Sequence, residues 1–245
     1  MRKVLLLTVF AVAVIFSSCS KSTEELQTIS LNEYFPLEPG RYITYNLDST
    51  IFINFGTAQA VVSYQVKHEV DALITDNLGR PAYRIIRYIR NSPAGAWTAD
   101  NTFMAVQTGS TVEFIENNMR FLKLKWPLRN GDSWKGNSYI DTYSLNSNVK
   151  YLADWDYTYD SVNVQQTLGA FTLDSTLKVA QRDEIIGNIT DPNSYHEINF
   201  GEEKYAKGIG MVYRNFLHIE YQPPTPGRGG YRIGYGVKLT MIDHN

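Results

Sequence analysis

The side chains best suited to chemistry in this 245-residue chain are four histidines, one cysteine and a short aspartate-rich stretch. That stretch is Asp154-Trp155-Asp156-Tyr157-Thr158-Tyr159-Asp160. In an extended strand, Asp154, Asp156, Thr158 and Asp160 fall on one side and Trp155, Tyr157 and Tyr159 on the other. Converging carboxylates suit a hard cation, which makes Asp154, Asp156 and Asp160 a weak candidate calcium site. An EF-hand loop wants Gly at its sixth position and Glu at its twelfth, and here those are Tyr159 and Gln165. The plainer expectation is a solvated acidic face backed by aromatic core residues. Alternatively Trp155, Tyr157 and Tyr159 form a ligand platform, because rigid amphipathic rings stack on sugars or peptides.

Other constellations are thinner. His68, His196, His218 and His244 lie far apart, and none belongs to a His-Glu-x-x-His pattern. His68 sits on the apolar side of its strand, where a hydrogen-bonded core or rim histidine is expected. His218 and Glu220 share a strand face without forming a motif. No Gly-x-Ser-x-Gly elbow occurs, and the glycines of Gly208-x-Gly210 and of Gly227-Arg228-Gly229-Gly230 lack a strand–helix setting for phosphate. The first pair reads as a bend or bulge within a strand. No catalytic residues and no cofactor are expected. With 23 basic against 25 acidic residues and no basic run, nucleic acid is not an expected partner.

The single cysteine has an address instead of a chemistry. Arg2 and Lys3 precede an uncharged run from Val4 to Phe16, then Ser17, Ser18 and Cys19. Thirteen helical residues reach about 20 Å, short of a hydrocarbon core, so the run is a signal segment and not a span. The small residues before Cys19 resemble a bacterial lipobox, with Phe16 where Leu is usual. That resemblance implies removal of residues 1–18, lipidation of Cys19 (palmitate among the acyl chains) and stable anchoring to a membrane. The remaining chain carries 21 basic and 25 acidic residues, so lipid and not charge holds it there. Ser20 after the cysteine implies the outer membrane, while Glu24 and Glu25 leave periplasmic and surface faces both open. Residues 19–33 read as the lipidated cysteine and a polar tether, and 34–245 as a single domain.

That domain positions everything else, and its period is two. Val62, Tyr64, Val66, His68 and Val70 alternate with polar residues, which marks a strand with one buried face. Thr111–Glu116 and Met119–Trp126 flank Asn117-Asn118, a pair suited to a two-residue turn that sets Phe114 opposite Phe121. Val237, Leu239 and Met241 alternate likewise, and Tyr83–Arg90 and Met211–Tyr221 are further strand-like runs. Turns are signalled at Asp76-Asn77-Leu78-Gly79, Thr108-Gly109, Asp191-Pro192-Asn193 and Gln222–Gly230. No helical pattern intervenes. The expectation is all-β: an antiparallel meander forming a strongly curved sheet or partly open barrel, with a two-sheet sandwich as the alternative. One corner occurs twice, as Phe35-Pro36-Leu37-Glu38-Pro39-Gly40-Arg41-Tyr42 and as Trp126-Pro127-Leu128-Arg129-Asn130-Gly131-Asp132-Ser133-Trp134.

Several segments, scattered over most of the mature chain, resemble an uncharacterised set of outer-membrane lipoproteins from Bacteroidota. They are Tyr34-Phe35-Pro36-Leu37 with Gly40, Asn117–Phe121 through Trp134–Asn137, Tyr205-Ala206-Lys207-Gly208-Ile209-Gly210-Met211, and Gly234-Tyr235-Gly236 to Asn245. The resemblance implies location and a β fold but no catalytic residues. Asp48-Ser49-Thr50, Asp160-Ser161-Val162 and Asp174-Ser175-Thr176 resemble an O-glycosylation motif of such organisms, and equally fit Asp/Ser turn chemistry. The expected function is a non-catalytic, lipid-anchored binder of an envelope protein or glycan. The alternative is a carrier or chaperone for a lipid or other apolar ligand.

Overall fold

The computed structural model describes residues 30–245, so the expected signal segment and Cys19 lie outside the described residues. Twelve antiparallel strands follow one another along the chain. They are β1 (Tyr42–Ile53), β2 (Ala58–Thr75), β3 (Pro81–Arg90), β4 (Thr98–Gln107), β5 (Thr111–Glu116), β6 (Met119–Lys125), β7 (Ser133–Lys135), β8 (Asp156–Leu168), β9 (Phe171–Gly187), β10 (His196–Ala206), β11 (Gly210–Gln222) and β12 (Tyr231–His244). They form a single sheet in the order β6-β5-β4-β3-β2-β1-β12-β11-β10-β9-β8-β7. The expected curved meander is therefore what forms, a barrel closed except at one seam between β6 and β7; the sandwich is not. Among the described residues, no helix is long and apolar enough to cross a membrane.

Period-two patterning explains the wall. Val66 and Val70 face the lumen from β2, as Leu239 and Met241 do from β12. Polar partners such as Asp48 with Ser63 and Arg84 with Asp71 decorate the outside. Asn117 and Asn118, at φ 51° and 62°, make the two-residue turn, and Phe114 pairs with Phe121. Gly208-x-Gly210 departs from expectation: it is the turn between β10 and β11, not a bend within one strand.

The repeated corner is a real structural repeat. Gly40 (φ +93°) donates its N–H to Val70 O at 2.8 Å, Val70 N donates to Arg41 O at 2.8 Å, and Arg41 N to Glu38 O at 3.1 Å. Gly131 (φ +86°) does the same with Tyr159 O at 2.8 Å, Tyr159 N with Asp132 O at 3.0 Å, and Asp132 N with Arg129 O at 3.1 Å. Leu37 and Leu128 are buried behind the two turns. Each corner opens a run of six strands, so the barrel consists of two halves that begin alike. The seam at β6/β7 is the counterpart of the closed β12/β1 contact. It stays open because β7 has only three residues before the chain leaves for a 20-residue excursion, whereas β1 pairs along β12 for eight positions. Side chains bridge it: Trp134 Nε1 donates to Leu122 O (2.8 Å), and the Tyr159 hydroxyl both accepts from Lys125 N (2.9 Å) and donates to Lys125 O (2.8 Å).

One end of the barrel is plugged. Ser30 caps a single-turn helix, α1 (Leu31–Tyr34), through a capping box with Glu33. Leu31 and Tyr34 are buried, Gly208 N donates to Glu33 O, and the Tyr34 hydroxyl meets Ser175 Oγ at 2.7 Å. Residues 30–33, expected in the tether, dock because Leu31 and Tyr34 supply apolar surface one helical turn apart.

Candidate functional site

At the opposite end, six-stranded halves meet around a mouth crossed by residues 136–155. This segment runs from β7 and β8 to the far wall, where Tyr151 stacks on His218 at 3.8 Å and its hydroxyl reaches that of Tyr235 at 3.3 Å. Beneath it, Trp155 packs on Phe216 at 5.8 Å, and Tyr157 donates to Asn137, which donates to Leu152 O.

The aspartate-rich stretch lies here, and it divides as the alternation expects, with strand geometry beginning only at Asp156. Asp154 precedes it at φ 58°. Trp155, Tyr157 and Tyr159 are 1–2% exposed, so they are core residues and not an open platform. The carboxylates do not converge: Asp154 accepts from Tyr143, Asp156 pairs with Lys135, and Asp160 pairs with Lys178. Among the described residues, no group of three His, Cys, Asp or Glu side chains is placed to hold a metal ion. Of the three glycosylation-like serines, Ser161 Oγ is buried and Ser175 Oγ is engaged by Tyr34 and Asn163.

Charges that the sequence reading passed over occupy the centre of the lumen. Lys123 from β6 lies 2.6 Å from Glu203 of β10, and Tyr205 donates to the other Glu203 oxygen at 2.6 Å. Arg214 of β11 donates to Glu116 of β5 at 3.0 Å and lies 3.7 Å from Glu203. Burial raises the carboxyls, but Arg214 and Lys123 outweigh it and hold Glu116 down to about 2. Glu203 is likewise held below the carboxylate range, by Lys123 first and Arg214 second, against its own burial. The pairs persist because each ion has a partner; a lone one would be prohibitively desolvated. His68 stands between Tyr45 (5.1 Å) and Phe103 (5.3 Å), a core position as expected, yet its Nε2 is buried without a protein partner. Burial, then the nearby Arg87, pushes its pKa down to about 3, so the ring is neutral.

This charged layer is a partition. Toward the plug lies a cavity of about 70 Å³ lined by apolar residues including Phe35, Leu37, Ile85 and Met211. Toward the mouth lies one of about 100 Å³ lined by Gln181, Trp155, Tyr157, Asn117 and Tyr235 among others. His68, Glu116, Lys123 and Arg214 border both. A signal for these residues existed: Lys123 stands two positions after Phe121, and Glu203 two before Tyr205, each a charge at core spacing.

A second polar group sits under Tyr151. His218 Nδ1 meets Asn199 Oδ1 at 2.8 Å and Nε2 lies 3.4 Å from Glu220, while Asn199 donates to Glu197 at 2.6 Å. Burial lowers the His218 pKa against the pull of Glu197 and Glu220. His218 and Glu220, unremarkable in sequence, are thus joined by Asn199 and Glu197 from the neighbouring strand.

The rim of the mouth is apolar and exposed. Phe55, at the tip of the β1–β2 hairpin, is 98% exposed and held at φ +58° between Asn54 and Gly56, also left-handed. Leu145 is 92% exposed, and Tyr139 and Tyr143 beside it are also exposed. No protein-family model and no curated protein matches this chain.

Proposed function

We propose that this protein is a non-catalytic lipoprotein of the outer membrane, anchored through Cys19, that binds an envelope protein or glycan with the loops at its mouth. The observation that carries the reading is Phe55. A bulky side chain at positive φ costs about 1–2 kcal/mol relative to a relaxed backbone. An almost wholly exposed phenyl ring recovers none of that by packing. Both penalties are explained if the ring packs against a partner. Phe55 lies at the end of the barrel remote from Ser30, so a tether leaving the plugged end leaves the mouth free of the membrane. The filled lumen favours this reading over a carrier: cavities of about 70 and 100 Å³ compare with roughly 300–1,000 Å³ for pockets that enclose small-molecule ligands.

The test is recovery of the tagged full-length protein from its own outer membrane in detergent, with proteins and glycans identified by mass spectrometry. Cys19→Ala serves as the unanchored control. A stoichiometric partner that is lost with Phe55→Asn supports rim docking, and one retained by both Phe55→Asn and a Tyr143→Ser/Leu145→Ser double variant refutes it. A lipid held in excess of the anchor would instead support the carrier reading.

A further inference from the structure

The strands of the wall do not all reach the same height at the mouth. The β3 ladder ends with Arg90 opposite Gln65, so residues 58–64 of β2 pair with β1 on one side and with no strand on the other. Among the described residues, their only backbone hydrogen bonds are those of the β1 ladder. A second stretch is open at the same end, on β9 beyond Ala180, where the β8 ladder stops at Thr158.

The two open edges differ in their defences. The β9 edge carries Arg182, Asp183 and Glu184 in succession, charges of the kind that keep another strand from adding. The β2 edge reads Ala58-Gln59-Ala60-Val61-Val62-Ser63-Tyr64, without a charge, a Pro or a Gly. No bulge interrupts its register with β1. A regular, uncharged, β-prone edge is what native sheets avoid unless something pairs with it.

Geometry narrows the occupant. Every second residue turns its N–H and C=O to the open side, about 7 Å apart, over an edge about 20 Å long. A second extended backbone repeats its own groups at that interval, and a glycan does not. Side chains narrow it further. Ala58, Ala60 and Val62 continue the inward face of Val66, and their β1 partners Ile53 and Ile51 point the same way, 40% and 37% exposed. Because the two alanines are small, large apolar side chains from an added strand reach over them to Ile51 and Ile53. On the outer face Gln59, Val61 and Ser63 are exposed and uncharged.

We propose that the β2 edge at residues 58–64 is where a partner protein adds a strand to the sheet. The added segment is extended, with large apolar residues at alternate positions over Ala58, Ala60 and Val62 and neutral polar residues between them. For the existence of a partner this rests on the rim reading, and it makes that partner a protein. Phe55 tips the same hairpin, so one partner covers the ring and extends the sheet. A second copy of this chain suits the edge less well: its β2, added antiparallel, would point its plugged end and tether away from a shared membrane.

The experiment has two arms, both read by amide hydrogen exchange and mass spectrometry on the full-length protein in detergent. In the first, the probe is an acetylated peptide of alternating Val and Thr with a Lys at each end. The expected result is a saturable slowing of exchange, about tenfold or more, at residues 58–64 and not on β9. Two further peptides are N-methylated at every Val or at every Thr. Only one set of N–H groups faces β2, so one peptide loses the effect and the other keeps it. In the second arm, the partner recovered in the rim test is expected to slow exchange at residues 58–64. Val61→Lys, on the exposed outer face, is expected to weaken its binding about tenfold or more.

No slowing at residues 58–64 with the unmodified peptide overturns the proposal, as does an equal effect of the two methylated peptides. Slowing that grows with protein concentration alone overturns it in favour of a second copy. A partner lost with Phe55→Asn that leaves residues 58–64 unprotected overturns the edge and keeps the rim. Peptide binding with the expected methylation pattern, but no partner recovered, supports the edge and refutes the rim.

Discussion

Lys123 Nζ lies 2.6 Å from Glu203 Oε1 across the lumen, tying the strand on one lip of the seam to a strand of the opposite wall. Across the seam β6 makes a backbone hydrogen bond from Leu122 N to Gly136 O (2.8 Å) but no ladder, so this contact and the Trp134 and Tyr159 bridges substitute for the missing pairing. Both side chains are almost completely buried, and the pair's worth is set by what happens when one member is removed.

Lys123→Met is expected to cost about 3–5 kcal/mol, because it leaves the Glu203 carboxylate desolvated with only Tyr205 and a distant Arg214. Lys123→Met with Glu203→Leu should recover most of that loss. Urea unfolding of the two single variants and the double variant measures the coupling; strictly additive losses would deny the pair its role.

Acid should weaken the fold in two overlapping windows. His68 has an ordinary pKa of 6.5 and a folded value near 3, so the unfolded chain takes up its proton first and stability falls as pH drops from 6.5 toward 3. Glu116, ordinarily 4.5 and held near 2, withdraws its contribution from 4.5 downward. The combined loss is on the order of a few kcal/mol. His68→Gln should flatten the curve between pH 6.5 and 4.5 and leave the lower limb; an unchanged upper limb would contradict the assignment.

Tyr159→Phe removes both hydrogen bonds to Lys125 across the seam while keeping the ring's packing on Trp134 at 4.6 Å. A stability loss of about 1–3 kcal/mol is expected, since the Lys125 amide group is left unpaired. Hydrogen exchange should show faster exchange of the Lys125 amide with no change in β1 or β2.

Gly40→Ala and Gly131→Ala test the repeated corner. No atom lies within 4 Å of an added Cβ at either position, so the cost is that of the left-handed backbone alone, about 1–2 kcal/mol. The two losses should agree closely, and a large difference would show that the matching hydrogen bonds hide unlike environments.

Phe55→Asn separates folding from binding. Asn tolerates the φ of +58° that Phe adopts there at a cost, so the variant should unfold about 0.5–1 kcal/mol later than the wild type. Destabilisation instead would mean that Phe55 contributes to the fold, and the rim reading would lose its basis.

Local features were legible in sequence wherever one physical rule acts alone. Period-two alternation placed Val62–Val70 and Val237–Met241, because a strand with one wet face must alternate. Asn117-Asn118 placed a turn and its Phe114–Phe121 pair, because few residues accept positive φ twice in succession. The echo of Pro-Leu-x-x-Gly marked two corners, and each carries the same three hydrogen bonds. Ser30 to Glu33 reads as tether in sequence because a single capped turn is too short to show a period.

What only the tertiary structure decided is how distant strands meet. Closure into a barrel depends on β1 finding β12, nearly the whole chain away, and strand parity carries no pairing order. Trp155, Tyr157 and Tyr159 could line a surface or a core by their spacing, and packing on Phe216 and on Trp134 inside the closed sheet made them core. Lys123, Glu203, Arg214 and Glu116 come from four strands, and a charge on an inward face is tolerable only with a partner that folding delivers. Inward or outward is written locally, in side-chain alternation; which inward groups face one another is a property of the closed sheet.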